Sequence, residues 1–540
     1  MREGKTRKMM VSGGGRFLTG PRAWSHLPAE RKLNHWMAYL LMGGIAVMVG
    51  LLMADNLKIG MGFAGGVIGT AVVVACMVDT AAGLFINVVY SFVAFYLSRL
   101  LFRDEFPVGT ASDILIFSTL LGLILRKVTL KETWNSFASS AAVICFLVYL
   151  GFGILQLFNP NSHSFTAWYI SIRKLTGTYV ILFVAYEVFK DPAAIRRYLA
   201  LIFWCCVGLG LYGCIQQWHG LFNFEIEWVM SDDLRYGLMY IGGEFRKFSL
   251  LSDPMAFGLL MAACGLFFFI LSMALTGRKR WIMRLGTIPM FLGMAYSGTR
   301  TANIMVVAGA AFFILLTLER KGTRVFAGAA AAVLLLLLYL PFYSNNTLNR
   351  FRSSFQGSQD ESYKVREMNR HYIQPYIWTH PIGGGLCTTG SHGMELNPGH
   401  YLAGFPCDNG YLEKVLETGW IGLGLLCVLY FLILRTGIQA YFKGRTPYEK
   451  ILAAACTCGI FSFYVATYSQ TALGQISDIV IYYPFIAILL RLNEPGGAKA
   501  GSAEQKAGSA GLPEGPSLAI SGRAANLSLS GPAGNKNLQQ

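Results

Sequence analysis

Between Trp36 and Arg491 the chain passes again and again through apolar stretches long enough to cross a lipid bilayer. A helix rises 1.5 Å per residue, so about 20 apolar residues cover about 30 Å of hydrocarbon. That criterion predicts about fourteen spans. They are centred within 36–54, 60–78, 80–98, 110–125, 136–157, 175–189, 196–215, 254–275, 282–296, 300–318, 325–342, 415–434, 451–468 and 476–491. The sixth and the short ninth carry the weakest signal. With 54% hydrophobic and only 14% charged residues in 540, the composition excludes a soluble globular domain of this size. The expected fold class is an all-α polytopic membrane protein. No cleavable signal peptide is expected, because the first apolar stretch is long and lacks a small-residue cleavage site.

Short loops rich in Lys and Arg stay on the cytoplasmic side of a membrane. The amino-terminal tail carries Arg2, Lys5, Arg7, Lys8, Arg16, Arg22, Arg31 and Lys32, and every second loop after it is basic. Those loops hold Arg126/Lys127/Lys131, Lys190/Arg196/Arg197, Arg278/Lys279/Arg280/Arg284, Arg320/Lys321/Arg324 and Arg435/Lys443/Arg445/Lys450. An even number of spans then leaves both termini cytoplasmic. The net charge of +16 is read as this topology signal and not as a nucleic-acid surface.

The expected organisation is a basic tail over 1–35, a transmembrane domain over 36–492 and a Gly/Ala/Ser/Pro-rich tail over 493–540. The last segment has too little apolar content to fold. Two hydrophilic loops face outward, at about 216–252 and about 343–414, and function is sought there. Within the larger loop, the pattern over 361–379 predicts a helix with Tyr372, Ile373, Tyr376 and Ile377 on apolar faces, and with Arg366, Arg370 and Gln374 repeating along another. Pro381 ends it, and Gly383-Gly384-Gly385 permits a backbone path or a close approach that side chains forbid. Cys387 and Cys407 lie in this loop and could close a disulfide in an oxidising compartment.

The middles of the spans are nearly free of ionisable residues, and Asp113, Arg300 and Asp478 fall near predicted ends. That pattern, with no internal repeat, argues against an ion-driven carrier. Arginines at the outer boundary are the better clue. Arg246 and Lys247 precede FSLLSDPMAFG, where Ser252 or Asp253 could cap a helix begun by Pro254. The next outward turn, YSGTRTAN, offers Ser297 and Thr299 as caps and places Arg300 in the first turn of a span. A helix amino terminus favours an anion, and arginine adds bidentate phosphate recognition. Taken singly, each such arginine could instead reach to lipid headgroups, and Lys247 is read that way.

The large loop closes with DNGYLEKVLETGWIGLGLL. Asp408-Asn409, Leu412, Gly419 and Gly422 in that stretch resemble the signature of the O-antigen ligase and polymerase superfamily. FRKFSLLSDPMAFG, SGTRTAN, VREMNR and HPIGGGL resemble the superfamily's upstream motifs in the same order, over roughly Arg246 to Leu426. The resemblance implies a GT-C-like membrane glycosyltransferase of the inner membrane with a large, partly helical periplasmic loop. Its donor would be an undecaprenyl-pyrophosphate-linked glycan, its acceptor a glycan, lipid or protein, with no nucleotide sugar, cofactor or metal. It assigns Arg246, Arg300 and Arg366 to the donor pyrophosphate, where fixed positive charge stabilises the departing anion, with Arg370 in reserve.

Members with ligase activity commonly carry His where this chain has Asp408. A carboxylate of ordinary pKa, near 4, is a weaker base than an imidazole. Asp408 is therefore read as base or hydroxyl-orienting group, and His400 as a substitute. The structural alternatives are an Asx-type cap for Asp408 and a surface imidazole for His400. Asn409 and Tyr411 are candidate sugar contacts, and Glu417 is read as structural. The expected activity is transfer or polymerisation of a lipid-linked O-antigen or exopolysaccharide. Protein O-oligosaccharyl transfer and lipid-linked glycan or solute transport are the alternatives.

Overall fold

The computed structural model describes residues 36–102, 104, 106–132, 137–339, 346–355, 361–407 and 409–494. In chain order the helices are α1 (Trp36–Asp55), α2 (Leu57–Val78), α3 (Thr80–Phe102), α4 (Val108–Leu130), α5 (Ala141–Leu155), α6 (Phe165–Val188) and α7 (Pro192–Trp218). Next come short α8 (Asn223–Met230) and α9 (Asp233–Met239) and a hairpin of β1 (Tyr240–Ile241) and β2 (Glu244–Phe245). Then follow α10 (Pro254–Ser272), α11 (Gly277–Tyr296), α12 (Arg300–Thr317), α13 (Lys321–Tyr339), α14 (Asn346–Ser353), α15 (Glu361–Thr379), α16 (Gly390–Leu396), α17 (Gly410–Lys443), α18 (Pro447–Thr467) and α19 (Ile476–Asn493).

Every expected span falls on a helix. Among the described residues, ten helices are long and apolar enough to cross a membrane. Of the other four expected spans, α1 and α2 are apolar over almost their whole length. In α6 the run is interrupted by Arg173, Lys174 and Glu187, and α11 opens on Arg278, Lys279, Arg280 and Arg284.

Burial orders the bundle. The best apolar windows of α10, α18 and α19 are 89%, 83% and 72% buried, against 6% for α13. A helix apolar on all sides must be central or face lipid, and these two extremes are the two cases. Around that centre α10 packs on α11 and α18, α12 and α17 pack on α18, and α19 packs on α6. Stacked Phe267 and Phe485, with centroids 4.4 Å apart, join α10 to α19.

The α7–α10 connection and the segment from α14 to the start of α17 lie at one end of the bundle, called here the loop end. At the opposite end the buried Lys127 Nζ pairs with Glu187 at 2.8 Å, and Lys190 pairs with the same carboxylate at 2.7 Å. The segments 1–35 and 495–540, with residues 340–345 and 356–360 of the large loop, lie outside the described residues.

Candidate active site

Two helix amino termini meet at the loop end. Asp253 caps α10, its Oδ1 accepting the backbone N–H groups of Met255 and Ala256 at 2.8 and 2.9 Å. Pro254 occupies the first turn, where its missing N–H costs nothing. At α12 the expected caps behave differently. The Thr299 hydroxyl donates to the Pro254 carbonyl at 3.0 Å, and Ser297 Oγ donates back to Met294, so neither caps α12 in the usual way. These bonds lock the turn before α12 onto the start of α10.

Arg246 lies across that junction. Its Nε donates to the Ser297 carbonyl at 3.0 Å, one terminal nitrogen to Thr299 Oγ1 at 3.0 Å and the other to the Leu238 carbonyl at 3.3 Å. All three acceptors are uncharged. Burial holds its pKa down to about 10, and the neighbouring Arg350 pushes in the same direction. Arg350, on α14, was not singled out from the sequence. Its guanidinium lies against Gly298, whose φ of +63° no side chain favours and where a Cβ would collide with it. One of its nitrogens donates to the Ile241 carbonyl at 2.7 Å. Burial lowers the Arg350 pKa as well; Glu244 opposes that shift, and the nearby Arg300 adds to it. Arg300 itself begins α12 and is exposed.

Arg370 arrives from the other side. It donates to Tyr468 Oη at 3.1 Å with its guanidinium 5.3 Å from the ring centroid. Arg366 sits one turn earlier on α15 and so on the same helical stripe. Arg246, Arg350 and Arg370 have no carboxylate within ion-pair distance among the described residues.

The piece that joins these groups is the connection between α18 and α19, residues 468–475, which the sequence reading passed over. Tyr468 meets Arg370, and Ser469 Oγ lies 2.7 Å from Thr301 Oγ1 next to Arg300. The Gln470 amide also donates to Thr301, and Thr471 donates to Glu413 at 2.7 Å. The Gln475 amide donates at 3.4 Å to Asp253 Oδ2, which also accepts the Ser252 hydroxyl at 2.8 Å. A Cβ on Gly474 would stand 3.7 Å from Lys174 Nζ. Eight residues thus touch the arginine side, the start of α17 and α6. Directly beyond them Asp478 is fully buried, and neither carboxylate oxygen has a hydrogen-bond partner among the described residues.

On the α17 side the charges are neutralised internally. Lys414 Nζ pairs with Glu413 at 3.1 Å and Glu417 at 2.9 Å. The other Glu417 oxygen accepts the Cys387 backbone N–H at 3.0 Å, which is the structural role expected of it. The Gly383–Gly385 run makes the close approach expected. Gly384 and Gly385 donate backbone N–H groups to the Leu416 and Glu417 carbonyls at 2.8 and 2.9 Å. Opposite them Gly419 takes φ +69° and kinks α17 where the Pro381 carbonyl abuts it. Gln156, Asn159 and Asn161 hold the carbonyls of Ile382 and Gly383 from the far side, at 2.9 to 3.2 Å.

Asp408 lies outside the described residues. Gly410 rests on the connector, where a Cβ would lie 3.2 Å from the Gln470 carbonyl. Asn409 is the amino-terminal cap of α17, accepting from Tyr411 and Leu412 at 2.9 and 3.3 Å. The Asx cap considered for Asp408 is therefore made by its neighbour, and the Asn409 oxygen expected at a sugar is occupied. The Tyr411 hydroxyl donates to the Tyr464 carbonyl at 2.9 Å, which turns it into the bundle and away from a sugar. His400 is half-buried rather than a surface imidazole. Its Nδ1 accepts the Leu402 N–H at 3.1 Å, and burial lowers its pKa and favours the neutral ring. No bond joins Cys387 and Cys407. Cys387 Sγ lies 3.1 Å from Ser171 Oγ, while Cys407 packs with Ile373, Leu402 and Leu416.

The fold defines a multi-pass helical membrane protein in which several arginines collect where helices end. Residues 285–427 match the family model described as O-Antigen ligase. The matched stretch contains Arg300, Arg350, Arg366, Arg370, the triple-glycine loop and the kinked start of α17. Arg246 and the 468–475 connection lie outside it. No curated protein matches the chain.

Proposed function

We propose that the chain is a glycosyltransferase that moves or polymerises an undecaprenyl-pyrophosphate-linked glycan at the outer face of the inner membrane. The carrying observation is that Arg246 and Arg350, with no carboxylate at ion-pair distance among the described residues, lie beside Arg300 where α10 and α12 begin, with Arg370 reaching the adjoining 468–475 connection. Such a cluster is electrostatically unfavourable until an anion enters it, and a pyrophosphate of a membrane-held carrier meets that need.

In the reaction the bond between the anomeric carbon and the pyrophosphate oxygen breaks, and a bond from an acceptor hydroxyl oxygen to the same carbon forms. The hydroxyl proton passes to a base, for which Asp408 is the first candidate and His400 the second. Pyrophosphate leaves with its charge on the arginines, and Arg366 belongs to the same set. Because that charge grows as the bond breaks, arginines held in place stabilise the transition state more than the bound donor. The reserve role first given to Arg370 becomes a direct one, since it reaches the connector.

Purified protein reconstituted with a lipid-linked glycan and a glycan acceptor tests the reading. Formation of a glycosidic bond with release of the carrier pyrophosphate supports it. Movement of intact substrate across the membrane with no bond formed replaces it by the transport reading.

A further inference from the structure

Beside Arg350 there is a recess of ≈ 240 Å³ between the hairpin and α14, lined by Ile241, Gly242, Glu244, Asn349, Arg350 and Ser353. Apart from Ile241, its side chains are polar. Sites for apolar small molecules are dominated by aliphatic and aromatic walls, whereas this lining has no aromatic ring and mixes polar groups with apolar surface. It combines an acceptor-only carboxylate, a donor-only guanidinium, an amide that does both and a hydroxyl. A ring bearing several hydroxyls, each a donor and an acceptor, is the chemistry that such a mixture satisfies.

The recess is built and not incidental. Gly242 and Gly243 have φ of +67° and +82°, the backbone that a two-residue hairpin turn requires. That turn fixes the Ile241 carbonyl where Arg350 donates to it at 2.7 Å. On α14, Ser353 Oγ donates to the Arg350 carbonyl at 2.9 Å, leaving its lone pairs for a ligand. Tyr240 stacks on Tyr236, centroids 5.3 Å apart, and stiffens the outer side of the hairpin.

Position gives the occupant. The Arg350 guanidinium is shared between the recess and the arginine cluster, since it lies on Gly298 between Arg246 and Arg300. We propose that this recess is the subsite for the carrier-proximal sugar of the donor glycan, with Arg350 bridging that sugar and its pyrophosphate. The assignment rests on the donor reading above. Glu244 at the edge disfavours a carboxylate-bearing ring by like-charge repulsion, so neutral or amino sugars are the preferred class.

The test is binding of two probes to the purified full-length protein: a polyprenyl pyrophosphate without sugar, and the same carrier bearing one neutral hexose. Wild type is expected to bind the sugar-bearing probe more tightly. Asn349→Ala should remove most of that advantage, up to about tenfold, while leaving the bare carrier's affinity unchanged; Glu244→Gln should also cut the advantage but hold the bare carrier somewhat more tightly, because it removes a negative charge beside Arg350. Arg350→Ala should weaken both probes. Retention of the full advantage in both recess variants overturns the subsite. If wild type binds neither probe, the donor reading itself fails, and the two failures are thereby distinguished.

Discussion

The two sides of the loop end use positive charge in opposite ways. On the arginine side Arg246 and Arg350 bond only to carbonyls and a hydroxyl. On the α17 side Lys414 is held between Glu413 and Glu417, and Glu417 spends its other oxygen on the Cys387 backbone. A cation satisfied by neutral dipoles keeps its charge for a ligand. One paired with carboxylates is already neutralised and shapes the chain around it. On the proposed function the first side is the reactive one and the second builds the loop, although both are basic in the sequence.

The largest effect that would break this contrast is on turnover. Arg246→Ala and Arg300→Ala should each lower the rate of glycan transfer on the order of 10²–10³-fold with the fold intact; near-normal turnover with folded protein would remove the anion site. On the α17 side the loss should fall on stability. Glu417→Ala leaves Lys414 and the Cys387 N–H without their partner, and thermal unfolding should report about 2–3 kcal/mol. That is below the full cost for a buried pair because the Lys414 side chain stays 32% exposed. Gly419→Ala sharpens the same side, because its positive φ and the abutting Pro381 carbonyl should cost about 1–3 kcal/mol and free the triple-glycine loop to proteolysis.

Smaller effects probe the join between the sides. Asn409→Ala removes the cap of α17 and should cost about 1 kcal/mol, with a modest fall in rate as the residue before it shifts. His400 gives the smallest effect. Because burial lowers its pKa in the folded protein, its contribution is fully present above its ordinary pKa of about 6.5. It is lost as pH falls through that value toward the folded pKa. A pH series of melting temperatures should therefore show a shallower acid slope in His400→Gln.

Much of the architecture was legible because hydrocarbon leaves few choices. Apolar runs of spanning length become helices, and the helix expected over 361–379 is observed as Glu361–Thr379. Asp253 and Pro254 marked the start of α10 by local rules alone. The rest depends on which distant segments meet. Arg350 stands in no motif quoted from the sequence, and its importance comes only from a guanidinium resting on Gly298. The 468–475 connection reads as a polar interruption between two spans, yet it touches Arg370, Thr301, Glu413 and Asp253. Lys174 did leave a signal, because it is one of the charges that made the sixth span weak. The bond from the Tyr411 hydroxyl to the Tyr464 carbonyl is likewise something that sequence spacing does not show.

The most direct measurement is the affinity of the purified protein for a polyprenyl pyrophosphate, compared between wild type, Arg350→Ala and Glu417→Gln at a temperature where all three are folded. If the arginine side waits for the anion and the α17 side does not, Arg350→Ala should bind roughly tenfold or more weakly, with Glu417→Gln close to wild type. Equal affinities for wild type and Arg350→Ala, or a larger loss in Glu417→Gln, would contradict that division.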